Sequence, residues 1–347
     1  MVATYKRHIL NFRRPSGTSR GILTQKETWY ILIEKDQKRG IGECGILRGL
    51  SCDDRPDYEE KLAWTCKNIH LGKELLYTAL TEFPSIQMGV EMAFLSLDSE
   101  DDFTLFSNDF AYGKSPVAIN GLIWMGDVDF MLAQVEEKIQ QGFSCIKMKV
   151  GAIDFAEELS ILTAIRKRYS SEEMLLRVDA NGAFKEDALD KLHELAALDI
   201  HSIEQPIAAG NWKKMRRLCE ETPLPIALDE ELIGVFSRED KVALLDKIQP
   251  HYIILKPSFI GGFTGTSEWF DLAEERGIKS WVTSALESNV GLNAIAQWTY
   301  HQGFEGYQGL GTGSLFTNNI SSPLTIENGY ITIDNNKVWT NLDQIFS

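Results

Sequence analysis

Along the last two-thirds of the chain, short runs of β-forming residues recur at a nearly fixed interval. VAINGLIW begins at residue 117, CIKMKV at 145, MLLRVD at 174, HSIEQP at 201, PIALDE at 225, YIILKP at 252, KSWVTS at 279 and GYQGLG at 306, so successive starts lie 24 to 29 residues apart. Between them, DVDFMLAQVEEKIQQG, FAEELSILTAIRKRY and TSEWFDLAEERG space their apolar residues three and four positions apart, the period of a helix with one buried face. A strand followed by a helix, eight times over, predicts an α/β fold of (β/α)8-barrel type across residues 113–317 rather than an open doubly wound sheet.

The first 112 residues follow another pattern. TYKRHILNF, ETWYILIEK and RGIGECGI read as antiparallel strands, and two helical stretches follow, DYEEKLAWTCKNIHLGKELLYTAL and PSIQMGVEMAFLSLDS. Residues 1–112 are therefore expected to form an α+β capping domain. The tail, 318–347, regains strand character in LTIENGYITID around an Asn328-Gly329 turn and is expected to return to that domain. Two loops, RRPSGTSRG at 13–21 and GILRGLSCDD at 45–54, are candidate lids.

Composition narrows the partners. Fifty Asp and Glu against 35 Lys and Arg give a net charge of -15, and no basic cluster is present to hold a phosphate backbone, so nucleic acid is excluded as a partner. No apolar run approaches the roughly 20 residues that span a bilayer, and the N-terminus lacks the apolar segment of a secretory leader, so no membrane partner and a cytoplasmic location are expected. The five cysteines are scattered without C-x-x-C spacing and are expected to be reduced, mostly buried thiols. A homo-oligomer is left open.

In such a barrel the C-terminal ends of the strands surround the active site. Three successive strands end in acid: Asp179, Glu204 and Asp229. One such residue reads equally as a helix cap or a rim ion pair. Three at adjacent ring positions repel one another unless a cation joins them, and an oxygen-only set favours Mg2+ over zinc. Asn181 and Glu230 flank these acids. Lysines occupy two other strands: Lys147 and Lys149, two apart and so on one face, and Lys256 at the end of YIILK. A lysine inside a barrel is costly to bury, and neighbouring cations tune it toward proton transfer.

The K-x-K pair, the D/E/D triplet, the lysine on the sixth strand and G-I-G-E at 40–43 together resemble the enolase superfamily, muconate lactonizing subgroup. Within it, NGLIWMG at 120–126, SALESNVGL at 284–292 and GLGTGSLF at 309–316 are most similar to the dehydratases of menaquinone biosynthesis. The resemblance implies a Mg2+-dependent lyase acting on a small carboxylate, a cyclohexadiene that carries a succinyl chain and loses water by syn elimination through an ene-diolate. It implies metal ligation by Asp179, Glu204 and Asp229, proton transfer by Lys149 with support from Lys147, and charge stabilisation by Lys256 on the opposite face. Thr283, Ser284, Leu286, Gly309 and Leu310, with Asn181, would line the pocket, and Gly17, Thr18 and Ser19 would cover it.

The main alternative is an N-acylamino acid racemase or dipeptide epimerase of the same superfamily, which shares both lysine positions. Epimerases carry an acidic D-x-D-type motif after the eighth strand, where GLGTGSLF has no acid. A two-carboxylate glycosidase on the same barrel leaves three inward lysines unexplained, and a noncatalytic metal-binding relative leaves the lysines and acids together without a role.

Overall fold

The computed structural model describes residues 1–347 apart from Ser19, Arg20, Met125 and Ala152, with backbone alone for 16–18. Three antiparallel strands open the chain, β1 (Val2–Thr18), β2 (Gly21–Lys35) and β3 (Lys38–Gly45), in the order β1-β2-β3. The period of two along β2 sorts its side chains between two cores. Trp29, Ile31 and Ile33 pack against the helices that follow, while Tyr30 and Leu32 join the barrel's core. Those helices are α1 (Tyr58–Lys67), α2 (Lys73–Ala79) and α3 (Pro84–Asp98). The single helical run expected over 57–80 is broken: α1 stops at Asn68, a 3-10 turn follows over Ile69–Leu71, and Gly72, at φ +84°, a value open to glycine, ends that turn and starts α2. The two glycines of G-I-G-E have a different purpose: a Cβ on Gly42 would fall 1.8 Å from Gly89 O and one on Gly40 2.1 Å from Ala93 O, so α3 lies directly on the β3 backbone.

The barrel follows as β4 (Val117–Ala118), β5 (Gly121–Ile123), α4 (Val128–Gln140), β6 (Cys145–Lys149), α5 (Phe155–Arg168), β7 (Leu175–Asp179), α6 (Ala188–Ala196), β8 (Ser202–Glu204) and α7 (Trp212–Glu221). It continues with β9 (Ile226–Leu228), α8 (Arg238–Ile248), β10 (Tyr252–Leu255), α9 (Pro257–Ile260), α10 (Gly262–Glu274), β11 (Lys279–Val282) and α11 (Asn289–His301). Strands β5 to β11 form one parallel sheet in chain order. The eighth expected strand, GYQGLG, is reduced to two one-residue bridges, Gln308 to Ile119 and Gly309 to Thr283. The ring still closes through the backbone: Gln308 N donates to Ala118 O, Asn120 N to Gln308 O, Gly309 N to Val282 O and Ser284 N to Gly309 O. Glycine is required at 309, since a Cβ there would lie 2.4 Å from Thr283 Oγ1.

The tail divides its contacts. β12 (Leu324–Glu327) and β13 (Tyr330–Ile333) form the hairpin expected around Asn328-Gly329, both at positive φ, and β13 pairs with β4 at the start of the barrel segment. Beyond it, Trp339 stacks on Phe103 at 4.0 Å, and α12 (Leu342–Phe346) brings Asp343 to Arg39 and Ser347 to Lys6 on the N-terminal strands. All five cysteines are free, and four of them are buried. Among the described residues no helix is long and apolar enough to cross a membrane.

Candidate active site

Parallel pairing of β6, β7 and β8 sets Lys149 beside Asp179 and Asp179 beside Glu204. Their side chains enter the barrel from alternate positions, so the two lysines of C-I-K-M-K point the same way. Lys147 Nζ donates to Glu204 Oε2 at 2.7 Å and Asp179 Oδ2 at 3.2 Å. Lys149 Nζ donates to the same Asp179 oxygen at 2.9 Å and to Asn181 Oδ1 at 2.6 Å. Across the ring, Lys256 Nζ donates to Asp229 Oδ2. The three acids and three lysines expected from their strand positions are thus gathered into one buried cluster.

Burial and mutual charge set the protonation of this cluster. Burial pushes Asp179 up, but Lys149, Lys147 and Lys256 outweigh it and hold the carboxyl below its usual range. For Glu204 burial prevails over the pull of Lys147, and Asp179 and Asp229 add to it, so this acid is raised. Lys147 and Lys256 are each penalised by burial yet raised overall, the first by Glu204 and Asp179, the second by Asp229. The ammonium groups separate the acids, and among the described residues no three His, Cys, Asp or Glu side chains form a ready metal cluster. Glu204 Oε1, fully buried, has no hydrogen-bond partner among the described residues. An unsatisfied carboxylate oxygen in an all-oxygen acidic set is what a hard divalent cation requires, so the residues present fit Mg2+.

A cavity of about 120 Å³ opens on the cluster. Lys147, Lys149, Asp179, Asn181 and Lys256 form its floor, and Thr283, Ser284, Leu286, Gly309 and Thr312 are on its wall. Leu286 holds φ +62° and Asn181 φ +44°, both in the left-handed region; backbone strain of this kind collects at ligand sites. Ser284 Oγ and Thr312 Oγ1 share a hydrogen bond of 2.6 Å. Leu310 departs from its expected place. It is fully buried in the barrel core and absent from the cavity wall, because alternation along 309–311 turns its neighbours toward the cavity and Leu310 away. Gly17 and Thr18 pair with Ile22 and Gly21 across the β1–β2 hairpin, and Ser19 lies outside the described residues.

Other wall residues were not singled out from sequence: Leu23 on the hairpin, Leu47 and Leu50 on the 45–54 loop, and Asn120, Leu122 and Trp124 around β5. Leu47 and Leu50 lie on a loop read as a candidate lid and Asn120, Leu122 and Trp124 in the motif at 120–126, but an apolar side chain there has no spacing that marks its direction. Gln205 was also missed. At φ +38° and fully buried, it accepts from Asp229 N at 3.1 Å and donates to Glu231 Oε2 at 3.0 Å, tying the end of β8 to the end of β9. Beside Lys147 in register, Arg177 lies 4.0 Å over the Trp281 ring and donates to Tyr307 O. A larger hollow, about 610 Å³, lies at the opposite end of the barrel around Gln249–Tyr252 and Arg276–Lys279, remote from the cluster.

Comparison with known proteins places this arrangement. Residues 131–337 match the enolase C-terminal domain-like family. The chain is 42% identical to o-succinylbenzoate synthase of Desulfotalea psychrophila, across 95% of this chain and 98% of that protein. The crystal structure of MenC from Desulfotalea psychrophila superposes with a TM-score of 0.86 at 38% identity, covering 96% of this chain and 99% of that one. Muconate lactonizing enzyme from Pseudomonas fluorescens, crystallised with muconolactone, shares the fold, with a TM-score of 0.80 at 20% identity over 99% of this chain and 98% of that one. With lysines and acids at successive strand ends of a capped barrel, the chain belongs to the enolase superfamily.

Proposed function

We propose that the chain is an o-succinylbenzoate synthase, a carbon–oxygen lyase of menaquinone biosynthesis that dehydrates a succinyl-bearing hydroxycyclohexadiene carboxylate in the cytoplasm. The observation that carries this reading is 42% identity to a protein of that activity over nearly the full length of both chains. The barrel mouth is consistent with it: two lysine faces meet over one acidic cluster, and the wall from Gly309 to Thr312 carries no acid to hold a substrate ammonium.

In this reading residues 1–112, together with 318–347, serve as the cap and 113–317 as the catalytic barrel. Asp179, Glu204 and Asp229 would hold Mg2+, which when bound would supply the positive charge that offsets the substrate carboxylate and so eases loss of the neighbouring proton. Lys149 takes that proton as the C–H bond breaks. It then returns the proton to the hydroxyl on the same face, so that the C–O bond breaks, water leaves and the ring becomes aromatic. Lys147, fixed between Asp179 and Glu204, keeps Asp179 in place for Lys149. Lys256, from the far face, offers a fixed positive charge to the ene-diolate, a donor preorganised where charge develops. Asn181 orients Lys149 through its 2.6 Å hydrogen bond. Thr283, Ser284, Leu286 and Gly309 receive the succinyl arm, and the Gly17–Ser19 turn covers it.

The test is a direct assay of dehydration by absorbance with Mg2+, run beside racemisation of N-succinyl amino acids and epimerisation of an alanyl-glutamate dipeptide. Dehydration should dominate and the dipeptide should be turned over weakly or not at all. Dipeptide turnover comparable with dehydration would overturn the assignment in favour of an epimerase.

A further inference from the structure

A second set of buried charges lies where the cap meets the barrel. Glu43 on β3 is fully buried. It accepts from Thr28 Oγ1 at 2.8 Å within the cap, and from Ser288 N at 2.8 Å, Ser288 Oγ and Gly291 N at 2.8 Å at the start of α11. Glu287, one residue before that helix cap, is buried as well and accepts from Ser258 Oγ at 2.6 Å and Ala285 N at 2.7 Å. The bond to Ala285 N closes a tight turn around Leu286, the left-handed residue on the cavity wall. Two carboxylates are therefore sunk beside one loop, and among the described residues neither accepts a hydrogen bond from a cation.

Lys26 on β2 is the cation that faces them. It is 3% exposed, and its Nζ has no hydrogen-bond partner among the described residues. Its position is fixed by a neighbouring gap: a Cβ on Gly45 would fall 2.8 Å from Lys26 Nζ, 3.5 Å from Thr28 Oγ1 and 3.8 Å from Glu43 Oε1, so these groups converge on one point. Glycine at 45 is what admits the ammonium there. Both acids pull on Lys26, although burial still holds it below the usual lysine value, and Lys26 in turn restrains the rise that burial forces on Glu287.

We propose that Lys26 is a positioning residue: it supplies from the cap the positive charge that offsets the buried Glu43 and Glu287 side chains, and through them it fixes the Ser284–Leu286 wall of the substrate cavity. Removing one member of a buried charge group leaves the others uncompensated, which costs more than the group's net contribution. The loop responds first, because its turn depends on the Glu287 carboxylate. This inference rests on the proposed reaction only for its kinetic readout.

The experiment compares the parent enzyme, Lys26→Met, Glu287→Gln and the double variant. Two measurements are made on each: amide hydrogen exchange over 284–291 without substrate, and KM with kcat for the diene substrate. Lys26→Met should speed exchange in this loop and raise KM by about tenfold with a smaller change in kcat, since a wall displaced by a fraction of an ångström weakens substrate placement. Glu287→Gln keeps one acceptor and gains one donor for Ala285 N and Ser258 Oγ, so in the double variant it should return both exchange and KM toward the parent values. If Lys26→Met does not fold, the double variant should. Parent-like exchange and KM in Lys26→Met, or a double variant no better than Lys26→Met in exchange, KM or folding, would overturn the proposal. Should the parent fail to dehydrate the diene, the proposed reaction fails, and the exchange arms still decide the role of Lys26.

Discussion

The barrel mouth and the cap–barrel junction both bury several carboxylates, and they satisfy them in opposite ways. At the mouth, Asp179, Glu204 and Asp229 receive ammonium groups from Lys147, Lys149 and Lys256. At the junction, Glu43 receives Ser288 N and Gly291 N at the start of α11, and Glu91 receives Phe263 N and Thr264 N at the start of α10. An acid at a helix N-terminus meets fixed amide dipoles that cannot be titrated or displaced. An ammonium can move, exchange partners or release a proton. Burial of an acid alone therefore does not mark chemistry in this fold; the mobility of its partner does. The junction acids hold the helices that follow β10 and β11, and so the loops carrying Lys256 and Leu286, while the mouth acids are left to bind and react.

The sharpest way to break this contrast is to remove an acid from the mouth. Glu204→Gln deletes one of the three charged oxygens proposed to hold Mg2+, and charge stabilisation by a bound metal is worth several kcal/mol, so turnover should fall by about 10³-fold or more. Exhaustive chelation should abolish activity in the parent, and added Mg2+ should restore it. Undiminished turnover in either experiment would remove the metal from the reading, and the mouth would then be a structural ion-pair cluster like many others.

A smaller and more discriminating effect separates the two lysine faces. Lys149→Ala removes the group proposed to take and return the proton, a contribution of about 10²–10⁴, and exchange of the substrate α-proton with solvent deuterium should disappear with it. Lys256→Arg keeps a positive charge that cannot act as a base. It should retain measurable dehydration at a loss no greater than the roughly 10²–10³ of a deleted oxyanion donor, while any racemase side activity vanishes. If Lys149→Ala still exchanges and dehydrates while Lys256→Arg does neither, with both folded, the two faces have been exchanged.

Much of the mouth was legible because a βα repeat converts spacing into position: a residue at the end of each run must face the ring, so Asp179, Glu204, Asp229 and Lys256 could be grouped without coordinates. Alternation did the same for Lys147 and Lys149. The junction was not legible by that rule. Glu43 and α11 are more than 240 residues apart, and no period links a cap strand to a barrel helix. The eighth strand was legible as a position but not as a strand, since its glycines leave single bridges where β-formers would extend the pairing. The resemblance put both Gly309 and Leu310 on the wall, although neighbours on extended backbone face opposite ways. Gln205 gave no signal because its role depends on a positive φ and on partners 24 and 26 residues away.

The contrast is sharpened most quietly at Glu91, where activity should hardly change and the pH dependence of stability should. Burial pushes its carboxyl up to about 7 against the bonds from Thr264 and Phe263 that favour the ionised form. The unfolded chain loses this proton near 4.5, so between 4.5 and 7 the folded protein holds a proton that the unfolded chain has released. More protons bound in the folded state means that stability falls as pH rises through this window and levels off above it. The full contribution of such a shift is about 3 kcal/mol. Asp53, also buried and raised to about 6, adds a slope of the same sign at lower pH. Glu91→Gln, which cannot titrate, should lessen the fall in urea-unfolding stability between about pH 6 and about pH 8, leaving the part that Asp53 and Glu204 contribute, while kcat/KM stays within about twofold of the parent because no interaction with the transition state is removed. An unchanged slope in Glu91→Gln would show that Glu91 is already ionised at neutral pH, its helix amides prevailing over burial. A large loss of kcat/KM in a stably folded variant would show that the junction does more than hold the loops, and the division between holding acids and reacting acids would fail at that residue.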